Sequence, residues 1–128
     1  MLFRRLLYAS TVVGPSDDQI AILRESRANN GLDGVTGLLW TDGQQYLQVL
    51  EGSFDTVERL FRRIVRDKRH ENVRVLVDEQ VPERTFADWG MAMLFPGETN
   101  AELMARLRRI LARATDDVRA PFEKAVAS

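Results

Sequence analysis

The residues best placed to do chemistry are a glutamine and a tyrosine inside two apolar runs. Gln48 stands between Leu47 and Val49 in the run YLQVL, and Tyr8 stands in LLYAS near the N-terminus. A buried amide without hydrogen-bond partners costs roughly 1–3 kcal/mol, so Gln48 indicates a bound group that hydrogen-bonds to it. Two alternatives stay open, because backbone groups can satisfy a structural amide and a core tyrosine can reach any backbone carbonyl.

A pair of asparagines ends the first predicted helix. Asn adopts the left-handed conformation that terminates helices, so Asn29 alone fits a C-cap. One C-cap needs only one asparagine, and here Asn29 is followed by Asn30. We therefore predict that the asparagines and Gln48 belong to one ligand pocket.

A third polar group is the run RIVRDKRH, residues 63–70, at the end of the second predicted helix. Its arginines and histidine, Arg63, Arg69 and His70, can bind a phosphate or a ribityl chain beside Asp67. The alternative is a solvated helix end, where cations offset the helix dipole. The charge pattern leaves both interpretations open.

Catalytic arrangements are poorly supported, and we predict neither an enzyme nor a metal site. Glycosidase-type chemistry needs a pair of carboxylates in one cleft, and neither Glu51 nor Asp67 has an evident partner for such a pair. Neither a G-x-S-x-G motif nor a G-x-G-x-x-G or Walker loop occurs. The absence of cysteine and the single histidine exclude thiolate chemistry and a multi-histidine metal site. The best enzymatic alternative is an acylphosphatase-like small hydrolase, whose phosphate-binding loop is not visible in STVVGPSDD.

Length and charge indicate one domain of 128 residues, with 18 Lys and Arg against 19 Asp and Glu. No basic block is interleaved with aromatics, so we predict no nucleic-acid partner. No run reaches the ~20 apolar residues of a membrane span, and MLFRRLL does not resemble a signal peptide. We therefore predict no membrane contact, a cytoplasmic location, and an output that passes through a separate partner.

The hydrophobic pattern predicts the element order β-α-β-β-α-β-β-α-α. The predicted strands are Leu2–Ser10, Val35–Thr41, Tyr46–Leu50, Val73–Val81 and Trp89–Phe95. The predicted helices run from Ser16 to the asparagines, from Phe54 to Asp67, from Ala101 to Ala112, and from Thr115 or Asp116 through Phe122. Two βαβ-like halves that share one sheet predict an α+β, ferredoxin-like sandwich with two additional C-terminal helices.

This layout predicts what each face of the sheet carries. The first and third strands are neighbours, so alternation brings Tyr8 and Gln48 together on the helix-covered face. Leu47 and Val49 then lie on the opposite face, which the helix from Ala101 or a second copy of the chain must cover. We accordingly expect a core over residues 1–96, a helical extension over residues 97–128, and a homo-oligomer.

Six short motifs follow one another in the chain: LLYAS, SRANN, VTGLL, YLQVLEG, RDKRH and W-x-M. In this order they resemble the BLUF family, small blue-light sensors that bind FAD between the two helices of a ferredoxin-like domain. The resemblance spans nearly the whole predicted fold and fits the short, single-domain type. It does not cover the region beyond Pro96.

The resemblance implies a role for each motif. Tyr8 would give an electron and a proton to the excited flavin, and Gln48 would be the amide that rearranges and produces a reversible red-shifted state. Trp89 and Met91 would relay the signal to a downstream protein. The implied flavin is FAD, with FMN possible, and its binding residues are Ile22, Ser26, Asn29, Asn30, Gln48, Arg63, Ile64, Asp67, Arg69 and His70. A light-independent flavin- or ligand-binding module is the alternative.

Overall fold

The computed structural model describes residues 2–14, 34–87, 90–94 and 101–127. These ranges form five strands and three helices. They are β1 (Phe3–Val12), β2 (Thr36–Thr41), β3 (Gln45–Gly52), α1 (Phe54–Arg66), β4 (His70–Val81), β5 (Gly90–Leu94), α2 (Ala101–Arg113) and α3 (Asp116–Ala127). The helix predicted from Ser16 lies outside the described residues.

The strands form one sheet in the order β4-β1-β3-β2-β5. The first four strands in this order pair antiparallel, and β5 runs parallel to β2. The turn between β2 and β3 is tight because Gly43 has a φ of 86° and Asp42 Oδ1 accepts from the N–H groups of Gln44 and Gln45, each at 2.8 Å. The predicted ferredoxin-like α+β fold is confirmed, with β1 and β3 as neighbours.

Helix α1 covers one face of the sheet. Ser53 caps its N-terminus by accepting from the backbone N–H of Thr56 at 3.3 Å, and Val57 and Leu60 face inward. They pack into a buried cluster with apolar side chains of the three central strands, including Leu6, Leu39 and Leu50.

The C-terminal helices cover the opposite face. Leu47 and Val49 are buried in one cluster with residues of α2 and α3 that include Leu107, Ile110 and Phe122. The sequence left two possible covers for this face, the helix from Ala101 or a second copy of the chain. In the structure the chain's own α2 and α3 cover it. The division at residue 96 stays a prediction, as does the homo-oligomer. Within the described ranges, no helix is long and apolar enough to cross a membrane.

Strand β4 begins at His70, three residues before the predicted start at Val73. Its register against β1 shifts twice, between Leu7 and Tyr8 and again between Ala9 and Thr11. Asn72, close to the second shift, has a φ of 56°. An irregular register hides a strand from a strict two-residue alternation, which explains the error.

Candidate functional site

Tyr8 and Gln48 meet on the face of the sheet that α1 covers. The two residues are directly opposite each other in the antiparallel pairing of β1 and β3, so they project to the same side. The Tyr8 hydroxyl donates a hydrogen bond to Oε1 of Gln48. Only 4% of Tyr8 and 3% of Gln48 is exposed. The predicted convergence of these two side chains is confirmed.

The surroundings of Tyr8 keep its hydroxyl protonated. Its ring centroid is 5.6 Å from that of Phe61 on α1 and 6.2 Å from that of His70, which it meets edge to face. Burial raises the pKa of the Tyr8 phenol far above its ordinary value, and the nearby Tyr46 and Asp67 shift it in the same direction. The phenol is therefore a proton donor throughout the physiological pH range.

A charged pair stands where α1 ends. Asp67 is the C-cap, and its Oδ1 accepts from both the backbone N–H and Nε of Arg69 at 2.9 Å. The hydrogen bonds from the Arg69 side chain hold the pKa of Asp67 below its usual range. Both side chains are about a quarter exposed, at 26% for Arg69 and 27% for Asp67. Ile64 is partly buried against the Tyr8 cluster, and Arg63 is exposed on α1.

His70 is not part of a solvated helix end, which was one of the two interpretations of this run. It is 9% exposed, and its ring lies 6.2 Å from the Tyr46 ring as well as from that of Tyr8. Its Nδ1 is 2.7 Å from Oγ of Ser10, and its Nε2 contacts the backbone oxygen of Ile64. The first residue of β4 therefore turns into the core beneath α1, because it pairs with Val12 of β1.

Part of the predicted site lies outside the described residues. Ile22, Ser26, Asn29 and Asn30 belong to that part, as does Trp89. Met91 lies in β5 beside β2, and its side chain is also outside the described part. Among the described residues, no group of three or more His, Asp or Glu side chains could hold a metal ion.

The chain matches one protein family over most of its length. The family model described as BLUF, sensors of blue-light using FAD, covers residues 3–92. The chain belongs to the BLUF family. It is thus a member of a family of blue-light sensors that use a flavin. A curated relative, the photoactivated adenylate cyclase subunit beta of Euglena gracilis, is 33% identical over 92 residues, which are 69% of this chain. The chain spans only 11% of that relative's length.

Solved structures of BLUF proteins share the fold. The BlrP1 BLUF structure superimposes with a TM-score of 0.81 at 30% identity, over 99% of this chain and 91% of that one. The structure of Klebsiella pneumoniae BlrP1 with FMN and cyclic diGMP gives a TM-score of 0.73 at 36% identity, over 84% of this chain and 30% of that one.

The described residues fit a flavin. The edge of a flavin ring presents carbonyl and nitrogen acceptors beside an N–H donor, and a glutamine amide carries both N–H donors and an accepting oxygen. Gln48 places that amide on the face that carries the partly buried apolar side chains of Phe61 and Ile64, and because Gln48 itself is 3% exposed, its hydrogen bonds are little weakened by water. The donor set and its apolar walls therefore suit the group that BLUF domains use.

Sequence reasoning missed a buried ion pair on the other face. Arg5 donates from Nε to Glu51 at 2.8 Å, and Glu51 also accepts from the backbone N–H groups of Thr85 and Phe86 at 3.0 and 2.6 Å. Glu51 is fully buried, and its partners are a guanidinium and two backbone N–H groups rather than a second carboxylate. The signal was present: the register that pairs Tyr8 with Gln48 also sets Arg5 opposite Glu51.

Proposed function

We propose that the chain is a blue-light photoreceptor in which Tyr8 and Gln48 form the photochemical pair. The observation that carries this proposal is the buried hydrogen bond between the two side chains on paired central strands. A tyrosine paired with an amide on the central strands supplies a proton donor and a group that can exchange donor for acceptor, which the surrounding aliphatic side chains lack. Together with membership of a blue-light sensor family, it favours a photochemical role over a structural one.

The chemistry of the pair explains how a switch can be reversible. A bound flavin supplies blue-light absorption and, when excited, an acceptor for an electron and a proton. Tyr8 keeps its proton until that moment because its phenol is buried. The Gln48 amide presents an acceptor to Tyr8 in one orientation and a donor after rotation or tautomerisation. Tyr8 would then regain both its electron and its proton, so no net oxidation remains, the hydrogen bonds given by Gln48 would have changed, and no covalent bond to the protein forms.

The remaining flavin contacts are proposed from the family resemblance. Asn30 would meet the ring edge with Asn29 and Ser26 nearby, and Ile22 and Ile64 would enclose the ring. Asp67 and Arg69 would lie toward the ribityl and phosphate side with Arg63, which their partial exposure at the end of α1 allows. We propose FAD, which the family description names, and keep FMN as the alternative because the related Klebsiella structure holds it.

The output is proposed to pass from β5 to the C-terminal helices and then to a separate protein. Trp89 and Met91 would carry the change, since β5 adjoins β2 in the same sheet. Helices α2 and α3 lie on the opposite face from the pair and present their outer sides to a partner. The cytoplasmic location and the homo-oligomer stay predictions from the sequence.

The absorption spectrum of the purified full chain before and after blue light tests this function. We expect an oxidised-flavin spectrum that shifts slightly to the red on illumination and returns in the dark. A chain that binds flavin but never shifts would be a light-independent flavin-binding module. A colourless chain that cannot be reconstituted with flavin would contradict both.

A further inference from the structure

The single histidine of the chain is hydrogen-bonded on both ring nitrogens inside the protein. Nδ1 of His70 lies 2.7 Å from Oγ of Ser10, which is fully buried on β1 two residues from Tyr8. Nε2 contacts the backbone oxygen of Ile64 in the last turns of α1. The His70 ring therefore bridges the sheet and the helix, and it stands edge-on to both buried tyrosines.

The chemistry of the partners determines where the ring proton lies. A backbone oxygen only accepts, so Nε2 of His70 must carry a hydrogen and donate it to Ile64. In the neutral ring Nδ1 is then an acceptor, and the Ser10 hydroxyl donates to it. Neither ring nitrogen is left to bind a phosphate or ribityl oxygen without breaking one of these two bonds.

We propose that His70 is a positioning residue rather than a flavin ligand, and that Ser10 is its partner in holding the end of α1 against β1 beside Tyr8. This assignment differs from the family-based expectation that His70 binds the flavin directly. Its consequence for flavin binding rests on the proposed function, whereas the hydrogen-bond assignment does not.

Ile64 is the residue that this bridge positions. Its backbone oxygen accepts from His70 and also from the N–H of Asp67 at 3.1 Å, so the bridge joins the turn that ends the helix. The Ile64 side chain packs in the cluster that contains Tyr8. Because His70 holds the Ile64 backbone oxygen in place, it also sets the distance between the Ile64 side chain and the Tyr8–Gln48 pair.

The wild-type full chain tests the hydrogen-bond assignment by nitrogen-15 NMR of the histidine ring. Because the chain has one histidine, the ring signals need no assignment by mutation. In the neutral form of the ring we expect the proton on Nε2, in flavin-free and flavin-loaded protein alike. A proton on Nδ1, or rapid exchange between the two tautomers, would overturn the proposal even if the protein proved to be a working photoreceptor.

Flavins with and without phosphate separate positioning from direct binding. Ser10→Ala should weaken binding of riboflavin, FMN and FAD by one common factor, about threefold to tenfold for the loss of one buried hydrogen bond. His70→Phe removes both hydrogen bonds of the ring, so its loss should be at least as large and again equal for the three flavins. The flavin affinity of the double variant should be no lower than that of the single variant with the lower affinity. A loss confined to FMN and FAD would instead assign His70 to the phosphate and overturn the proposal.

Ser53→Ala is the matched control, because it removes a hydroxyl that holds the opposite end of α1. Flavin affinity equal to that of wild type is expected for this variant. An equal loss in Ser53→Ala and Ser10→Ala would show that any loosening of α1 suffices, which contradicts a specific role for His70. If wild-type protein binds none of the three flavins, the proposed function fails, and the NMR measurement alone decides the hydrogen-bond assignment.

Discussion

The hydrogen bond between Tyr8 and Gln48 can be removed from either side without changing the bulk of the core. Tyr8→Phe deletes the hydroxyl and keeps the ring, and Gln48→Leu deletes the amide and keeps roughly the same volume. Each single change removes the hydrogen bond between the two side chains and leaves the other polar group buried. The double variant removes both polar groups together.

The expected magnitudes follow from burial. A buried polar group that loses its partner costs about 1–3 kcal/mol, whereas replacing both partners by apolar groups of similar shape is nearly neutral. Each single variant should therefore lose about 1–3 kcal/mol of unfolding free energy, and the double variant clearly less than their sum. For a domain of this size the singles should melt roughly 3–5 °C lower for each kcal/mol lost.

Urea unfolding of the four proteins measures this coupling, and blue-light difference spectra of the same proteins measure the switch. Both singles should bind flavin and form no stable red-shifted state, because one lacks the transferable proton and the other lacks the amide that rearranges. Tyr46→Phe is the control, since it removes another buried phenol hydroxyl on the same face and should keep the shift. If the losses of unfolding free energy in the two single variants simply add in the double variant, the direct hydrogen bond between Tyr8 and Gln48 is contradicted. A normal reversible red shift in either single, at full flavin loading, would refute the photochemical assignment.

Three further predictions concern the ion pairs and the asparagines. Glu51→Gln should lower the unfolding free energy by about 1.5–3 kcal/mol, because it removes the charge from one half of a buried pair while Arg5 keeps Glu79 as a second partner. Glu79→Gln, which removes a partly exposed partner of the same arginine, should cost about 1 kcal/mol or less in the same urea titration. Because Arg69 lowers the pKa of Asp67 in the folded state, their pair should stabilise the fold above the unfolded-state pKa of Asp67 and lose its effect as the pH falls through the lowered pKa. Acid unfolding of Arg69→Gln beside wild type checks this, and a stability difference that persists below that range would contradict it. Asn30→Ala should release flavin more readily, since alanine can neither donate to nor accept from the ring edge, and an occupancy equal to wild type would leave Asn30 as a helix cap only.

Local patterns were sufficient to predict most of the fold. Alternation along β1 and β3 is strict around Tyr8 and Gln48, so a two-residue period placed both on the helix-covered face. Asp42 and Gly43 identified the turn between β2 and β3, and the spacing of Val57 and Leu60 identified α1. Each of these features depends on residues that are close in sequence.

Features that depend on distant pairing were harder to predict. His70 followed a run of charges, and only the shifted register of β4 against β1 turns its ring inward. Arg5 and Glu51 are 46 residues apart and pair only because β1 and β3 are adjacent. In β1 and in β3 the visible signal was a charged residue inside an apolar strand. Its pairing can be predicted only once the register between the two strands is known.

The parallel strand β5 differs from the rest of the sheet in how it is held. It has five residues, lies at the sheet edge, and pairs with β2 alone among the described strands. Parallel pairing is slightly less stable per residue than antiparallel pairing, so β5 should open locally at a lower free energy than the central strands. Its amides should exchange with solvent first, while β1 and β3 keep the Tyr8–Gln48 pair in register. The sheet thus contains a segment, β5, that can open in response to a small change in free energy. The Tyr8–Gln48 pair that would produce this change stays folded on the central strands.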